Sequence, residues 1–281
     1  MNLIYGNWFK REEREMLNKK EQQEILSLVQ STKPLIFAEL KDEHVTVKGA
    51  ADYVTNVDFA VQEYMKAELK KRFPEIPLIA EEKENKNLKR EGTYWILDPI
   101  DGTTNLIYGY QMSAVALALY EKGEITFGAV YNPFHEELFY GARGEGAFLN
   151  GKKIQVSPLK DLKDAVISFG SSPYEKERAK DLFPLFYKIF MHCADFRRTG
   201  SAELDLCYVA CGRHHGFLEQ YLKPWDYAAG SLILSEAGGL ASTWDGSPLP
   251  FLENADVLAV TRDLKESLQA LVKEEKPDGV R

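Results

Sequence analysis

The chain is poor in cysteine, in long apolar runs and in positive charge. Cys193, Cys207 and Cys211 are its 3 cysteines, with no CxxC pair among them, which excludes a disulfide framework and a zinc knuckle. A reducing, cytoplasmic setting is expected, with Cys207 and Cys211 packing as small hydrophobes on one helix. The longest strongly apolar run, 114–120, falls far short of the roughly 20 residues a membrane-spanning helix needs. Near the N-terminus Trp8-Phe9 stand directly before Lys10-Arg11-Glu12-Glu13-Arg14-Glu15, without the apolar core and small-residue cleavage site of a signal peptide. Acids outnumber bases, 43 to 35, for a formal charge of -8, and this argues against a generic nucleic-acid-binding surface.

What remains is a globular composition, 44% hydrophobic and 28% charged over 281 residues, enough for a real core. At roughly 150 residues per domain, the length suits two domains or one large domain in two halves. The pattern changes near residue 155 without a Pro- or Ser-rich linker. Residues 1–155 are expected to form an α+β half with an antiparallel sheet and 156–281 an α/β half, together one compact catalytic unit. Apolar spacing predicts helices over 8–30, 56–73, 174–190, 202–211 and 227–237, with Thr55 as an N-cap and Gly238-Gly239 closing the last. The runs 77–80, 94–97 and 165–169 read as strands, and 113–120, 126–131, 137–140 and 147–149 as an antiparallel meander.

Five carboxylates resist the default reading of acidic residues as solvated surface. Glu81 and Glu82 follow the apolar run 77–80, and Asp98 and Asp101 follow 94–97, where desolvation is costly unless a cation or donors meet them. In Asp98-Pro99-Ile100-Asp101-Gly102-Thr103-Thr104-Asn105, Pro99 lacks a ladder donor, so the strand is expected to leave the sheet there. The step from Asp98 to Asp101 can then bend both carboxylates toward one point. Gly102 lets the backbone approach a ligand, and Thr103-Thr104-Asn105 can open a short helix whose free N–H groups face an anion. Asp226, ahead of Tyr227-Ala228-Ala229-Gly230, is either an ordinary helix N-cap or a ligand from the second half of the chain. An all-oxygen set with no His or Cys selects Mg2+ or Mn2+ over Zn2+. The adjacent pair His214-His215 points in different directions and is not expected to share a metal.

On these residues the chain resembles the inositol monophosphatase family of Mg2+-dependent, lithium-sensitive phosphatases. The matching elements run in the family's order: Asp52-Tyr53-Val54-Thr55-Asn56-Val57-Asp58, Ala80-Glu81-Glu82, the stretch from Trp95 to Asn105, Gly144-Glu145-Gly146, Arg197-Arg198-Thr199-Gly200-Ser201-Ala202 and Trp225-Asp226-Tyr227-Ala228-Ala229-Gly230. The resemblance implies an α-β-α-β-α layered sandwich, assembled as a homodimer, acting on a small phosphorylated metabolite. It implies a first Mg2+ on Glu81, Asp98 and the Ile100 carbonyl, a second on Asp98, Asp101 and Asp226, and a looser third on Glu81 and waters. Thr103, paired with Asp58, and Glu82 would position the attacking water. Phosphate would rest on the N–H groups of Gly102 and Thr103, with Thr104 beside them, and Ala202 and Glu219 would meet the alcohol. In-line hydrolysis of a phosphate monoester suits two cations a few ångströms apart, one serving the water and one the leaving oxygen.

Ala80 stands where the family commonly has Gly, Lys83 where it has a small residue and Gln111 where Pro is frequent, and Lys83 brings positive charge toward the third ion. Thr104-Asn105 favours inositol monophosphate over 3′-phosphoadenosine 5′-phosphate; fructose 1,6-bisphosphate and NADP(H) are further candidates. Arg198, with Arg197, reads either as a contact for a second anionic group or as a solvated basic pair. A reading of another class is a regulatory binding protein on the phosphatase scaffold.

Overall fold

Alternation at period two decides which face of each strand meets which helices. Along the strand Ala114–Glu121, Val115, Leu117 and Leu119 join one apolar cluster, while Ala114, Ala116, Ala118 and Tyr120 join another. The strand is therefore covered on both faces. In the structure, a computed structural model that describes residues 17–42, 44–49, 52–82, 88–171, 173 and 176–274, this burial organises the whole chain.

Helices α1 (Lys19–Gln30) and α2 (Thr32–Glu39) are followed by the antiparallel hairpin β1 (Val45–Gly49) and β2 (Asp52–Thr55), and then by α3 (Asn56–Arg72). Asn18 caps α1 and Thr55 caps α3, each in a reciprocal capping box. The expected start of the first helix, 8–16, lies outside the described residues. Next comes a seven-stranded sheet in sequential order: β3 (Leu78–Ala80), β4 (Thr93–Asp101), β5 (Ala114–Glu121), β6 (Glu124–Asn132), β7 (Glu137–Ala142), β8 (Gly146–Leu149) and β9 (Lys152–Ile154). The short helix α4 (Thr103–Ile107) interrupts it after β4. β3 pairs parallel with β4, and the rest is the antiparallel meander.

The second half forms a five-stranded sheet in the order β11-β10-β12-β14-β13, from β10 (Val166–Phe169), β11 (Asp195–Arg197), β12 (Gly216–Leu222), β13 (Leu240–Thr243) and β14 (Ala255–Val260). Its helices are α5 (Ala179–Phe190), α6 (Ala202–Ala210), α7 (Ala228–Glu236) and α8 (Lys265–Glu274). The predicted helix over 174–190 starts later: a 3-10 turn at Lys176–Arg178 leads into α5, and Tyr174 lies outside the described residues.

Five layers result. Ile25, Val29, Val61 and Met65 of α1 and α3 pack on Trp95, Leu117 and Phe127 of the first sheet. Leu204, Cys207 and Ile233 of α6 and α7 fill the middle, between Ala116 and Phe139 of the first sheet and Phe217 and Ala259 of the second. Leu182, Phe186 and Leu268 of α5 and α8 cover the outer face of the second sheet, on Ile167, Leu218 and Leu258. The middle helices approach closely: a Cβ on Gly128 would lie 2.7 Å from the Ala229 carbonyl oxygen, so the α7 backbone touches β6 where a side chain would hold it off. Glu236, at the far end of α7, accepts the N–H groups of Gly144 and Gly146 at 2.9 and 2.8 Å, and φ of +75 and +86 at those two positions calls for the glycines on either side of Glu145.

The strand does not leave the sheet at Pro99. β4 runs on to Asp101, with Asp98 opposite Ala116 and Asp101 opposite Ala114. Three steps on β4 match two on β5, so a bulge absorbs the proline without ending the pairing.

Candidate active site

In a regular strand, residues three apart face opposite sides of the sheet. The bulge adds one residue, so Asp98 and Asp101, opposite Ala116 and Ala114, return to one face. That face looks toward α6 and α7. Asp98 Oδ1 accepts the Ile100 N–H at 2.9 Å, which stitches the bulge across the proline.

Asp101 meets the start of α6. One oxygen accepts the Ser201 hydroxyl at 2.6 Å and the Glu203 N–H at 2.8 Å, and the other accepts the Ala202 N–H at 3.2 Å. The two N–H donors are among the unpaired groups every helix start leaves over, and the hydroxyl belongs to Ser201, the residue that caps α6. Glu203, itself fully buried, reaches from α6 to the start of α7, where its carboxylate accepts the N–H groups of Ala229 and Gly230. Asp226 sits just ahead of α7 in the 3-10 turn Pro224–Asp226, and its Oδ2 accepts the Lys223 N–H at 2.7 Å. Its carboxylate thus bonds back along the chain, and Glu203, not Asp226, caps α7. The N-cap alternative for Asp226 does not hold.

Asp98, Asp101 and Asp226 line one cleft of about 720 Å³, with Glu81 and Ile100. Burial raises all three carboxyls above the ordinary carboxylate range. Asp98 is pushed well up by desolvation and then by Glu81, Asp101, Asp226 and Asp58. Asp101 rises to about 6, its burial partly offset by the donors of Ser201, Glu203 and Ala202. Asp226 rises to about 7 through burial and the charge of Asp101. Buried carboxylates that raise one another's pKa fit a hard divalent cation, and an all-oxygen donor set fits Mg2+ or Mn2+. As they stand, Asp101 is held by α6 and Asp226 by Lys223, so among the described residues no three His, Cys, Asp or Glu side chains are already gathered around one point.

The remaining predicted residues fall around this centre. Thr103 donates its hydroxyl to Asp58 Oδ1 at 3.0 Å, and Asp58 also accepts the Thr55 hydroxyl and N–H. Asp58 is fully buried, and burial raises its pKa against the pull of those donors. Gly102 has φ +89, and a Cβ there would lie 2.9 Å from the Met112 carbonyl, so both conformation and space call for glycine. Gly102, Thr103, Thr104, Arg198, Ala202 and Glu219 all line the cleft. Glu82 and Asp58 do not line it; the Glu82 backbone is clamped by the Gln62 side chain, and its charge acts on Asp58. Gln111 has φ +63, which a proline ring forbids, so its departure from the family pattern is conformational. Lys83 lies outside the described residues.

Several residues of the site escaped the sequence. Glu203 is one; its signal was a Ser201-Ala202-Glu203 start ahead of an apolar run, a helix opening with a carboxylate too early to be surface. Asp205 is buried within 3.4 Å of His214, while His215 instead accepts the Val166 N–H, so the two histidines serve different partners. Asp205 also accepts the Thr199 hydroxyl at 2.7 Å, beneath Ser201.

The chain as a whole is similar to known proteins. A Vibrio cholerae protein named Nus factor SuhB is 40% identical over 225 residues, 80% of this chain and 84% of that protein. Among solved structures, a staphylococcal inositol monophosphatase-1 in a lithium chloride-soaked inhibitory complex matches with TM-score 0.84 and 30% identity, over 92% of this chain and 96% of that one. An IMPase/NADP phosphatase complexed with Mg2+ and phosphate matches with TM-score 0.82 and 29% identity, over 90% and 94%. No helix among the described residues is long and apolar enough to cross a membrane. The inositol monophosphatase family model matches residues 12–276, nearly the whole chain, and the five-layered fold agrees with it: the protein belongs to the inositol monophosphatase family.

Proposed function

We propose that the protein is a Mg2+-dependent phosphomonoester hydrolase acting on inositol monophosphate or a related small phosphorylated metabolite. The observation that carries this reading is the convergence of Asp98, Asp101 and Asp226, from both halves of the chain, in one cleft beside the backbone of Gly102 and Thr103. Glu81, Asp98 and the Ile100 carbonyl would hold one ion, Asp98, Asp101 and Asp226 a second, and Glu81 with waters a third; Mn2+ suits the same donors. Bound there, such ions make hydroxide available near neutral pH and neutralise charge on the phosphate and leaving oxygen.

The chain's own groups supply position. The Thr103 hydroxyl donates its hydrogen bond to Asp58 or to the Ile100 carbonyl, so its lone pairs can accept from a water and aim the water oxygen at phosphorus. Glu82 stands near Asp58 to share in that orientation. The N–H groups of Gly102 and Thr103, with Thr104 beside them, cradle the phosphate oxygens. The water oxygen bonds to phosphorus as the ester P–O bond breaks opposite; one of the water's protons stays with the new phosphate oxygen, the other ends on the departing alkoxide, and the alcohol leaves toward Ala202, Glu219 and Arg198. The two halves work as one catalytic unit, in a cytoplasmic homodimer sensitive to lithium.

A panel of inositol 1-phosphate, fructose 1,6-bisphosphate, NADP+ and 3′-phosphoadenosine 5′-phosphate, with chelator and lithium controls, tests the reading through Mg2+-dependent phosphate release. A second reading, a regulatory partner-binding role on the same scaffold, draws on the Nus factor name of the 40%-identical relative. Absence of turnover across the panel would select it.

A further inference from the structure

The second sheet has an irregularity of its own at the cleft. On β12, Glu219 lies opposite Val257 and Leu222 opposite Ala255, so three steps match two on β14 and a bulge carries Tyr221. Tyr221 has φ +65, a conformation that glycine normally supplies in such bulges and that is a real outlier for a bulky side chain. Its N–H is held by Asp256 Oδ1 at 3.0 Å. A strained aromatic residue two positions after Glu219 needs a compensating use.

Its surroundings show that use. Tyr221 lines the cleft of about 720 Å³ and also a neighbouring cavity of about 400 Å³, so it stands between the two. The Arg178 guanidinium lies over the ring at 4.5 Å from its centroid, and Arg178 lines the neighbouring cavity and not the cleft. The ring is thus braced from the far side, and the residue as a whole is 45% exposed. We propose that Tyr221 is a specificity-determining residue: its ring, backed by Arg178, closes off the neighbouring cavity and limits the alcohol that the cleft accepts to compact ones. This rests on the phosphomonoesterase reading.

The test is unusually clean because glycine suits φ +65, so Tyr221→Gly is expected to fold and to melt no lower than the unaltered protein. Steady-state kinetics are compared for a compact ester, inositol 1-phosphate, and a bulky one, NADP+, whose 2′-phosphate is released. In Tyr221→Gly the ratio of kcat/KM for the bulky over the compact ester should rise about tenfold or more, through a lower KM for the bulky ester. In Tyr221→Phe, which keeps the ring, the ratio should stay within about twofold of the unaltered protein. An unchanged ratio in Tyr221→Gly overturns the inference, as does a Tyr221→Phe ratio that rises as in the glycine variant, which would assign the effect to the hydroxyl. Turnover by the unaltered protein separates the two levels: if it releases phosphate from neither ester, the hydrolase reading fails; if it hydrolyses both and the Tyr221→Gly ratio is unmoved, only the inference fails.

Discussion

Two bulges face the same cleft, one from each sheet, and they are built from opposite kinds of residue. In β4 the extra residue falls at Pro99 and Ile100, where proline needs no ladder donor and Asp98 accepts the Ile100 N–H. Each local choice there agrees with the backbone it must adopt. In β12 the bulge carries Tyr221 at φ +65, against its own preference and held by Asp256 from the neighbouring strand. The first bulge turns two carboxylates to one face; the second sets an aromatic wall. One is a local solution and the other a tertiary one.

Breaking the β4 side should have the largest effect. Asp101→Asn replaces an acceptor that meets three donors with a group that turns an NH2 toward one of them. Phosphate release is expected to fall about a hundredfold or more, with far-UV circular dichroism unchanged; retained turnover would remove the site. Titration gives a second measure of the same carboxylates. Asp101 and Asp226 titrate at about 6 and about 7 in the fold against an ordinary 3.8, so the metal-free fold binds more protons than the unfolded chain across that interval. It therefore loses stability as pH rises through it, and should melt higher at about pH 5.5 than at about pH 7.5. Mg2+ favours the charged carboxylates, so its stabilising shift should be larger at the higher pH; equal shifts at both would detach the ion from these groups.

The close approach of α7 to β6 is the next lever. Gly128→Ala places a methyl against the Ala229 carbonyl, and should cost about 1–3 kcal/mol in denaturant melts. Because α7 begins just after Asp226, the Mg2+ concentration for half-maximal activity should rise with it; a stability loss without that rise would show Asp226 to be positioned by its own turn alone. The smallest effect belongs to Pro99→Ala. Its bulge is also held by Asp98, so it should lose only roughly 0.4–1 kcal/mol through a freer unfolded chain, with activity retained.

Much of the first half was legible because its rules act over a few residues. Thr55 capping α3, the meander from β5 to β8, and Asp98 with Asp101 beside Gly102 all follow from neighbouring residues and alternation. The expected exit of the strand at Pro99 failed for an equally local reason: a bulge was the cheaper way to place a residue without an N–H. Asp226 had two readings because an aspartate before a helix looks the same whether it caps that helix or turns away. Glu203, which takes over the cap, lies more than twenty residues upstream, beyond any local pattern.

By itself the sequence determined the mixed helix-and-strand character and the acidic centre, because hydrophobic period, turn chemistry and the stretch around Asp98 are written in adjacent positions; the family and the layered order it implies came from the resemblance of the ordered motifs between Asp52 and Gly230. The tertiary structure decided that Asp101 would rest on α6, that Glu203 would tie α6 to α7 beside Asp226, and that Tyr221 would stand between two cavities. Those facts join residues far apart in the chain: the close packing of α6 and α7 between the two sheets brings Asp101, Glu203 and the start of α7 within hydrogen bonds of one another, and the pairing of β12 with β14 sets Tyr221 at its bulge.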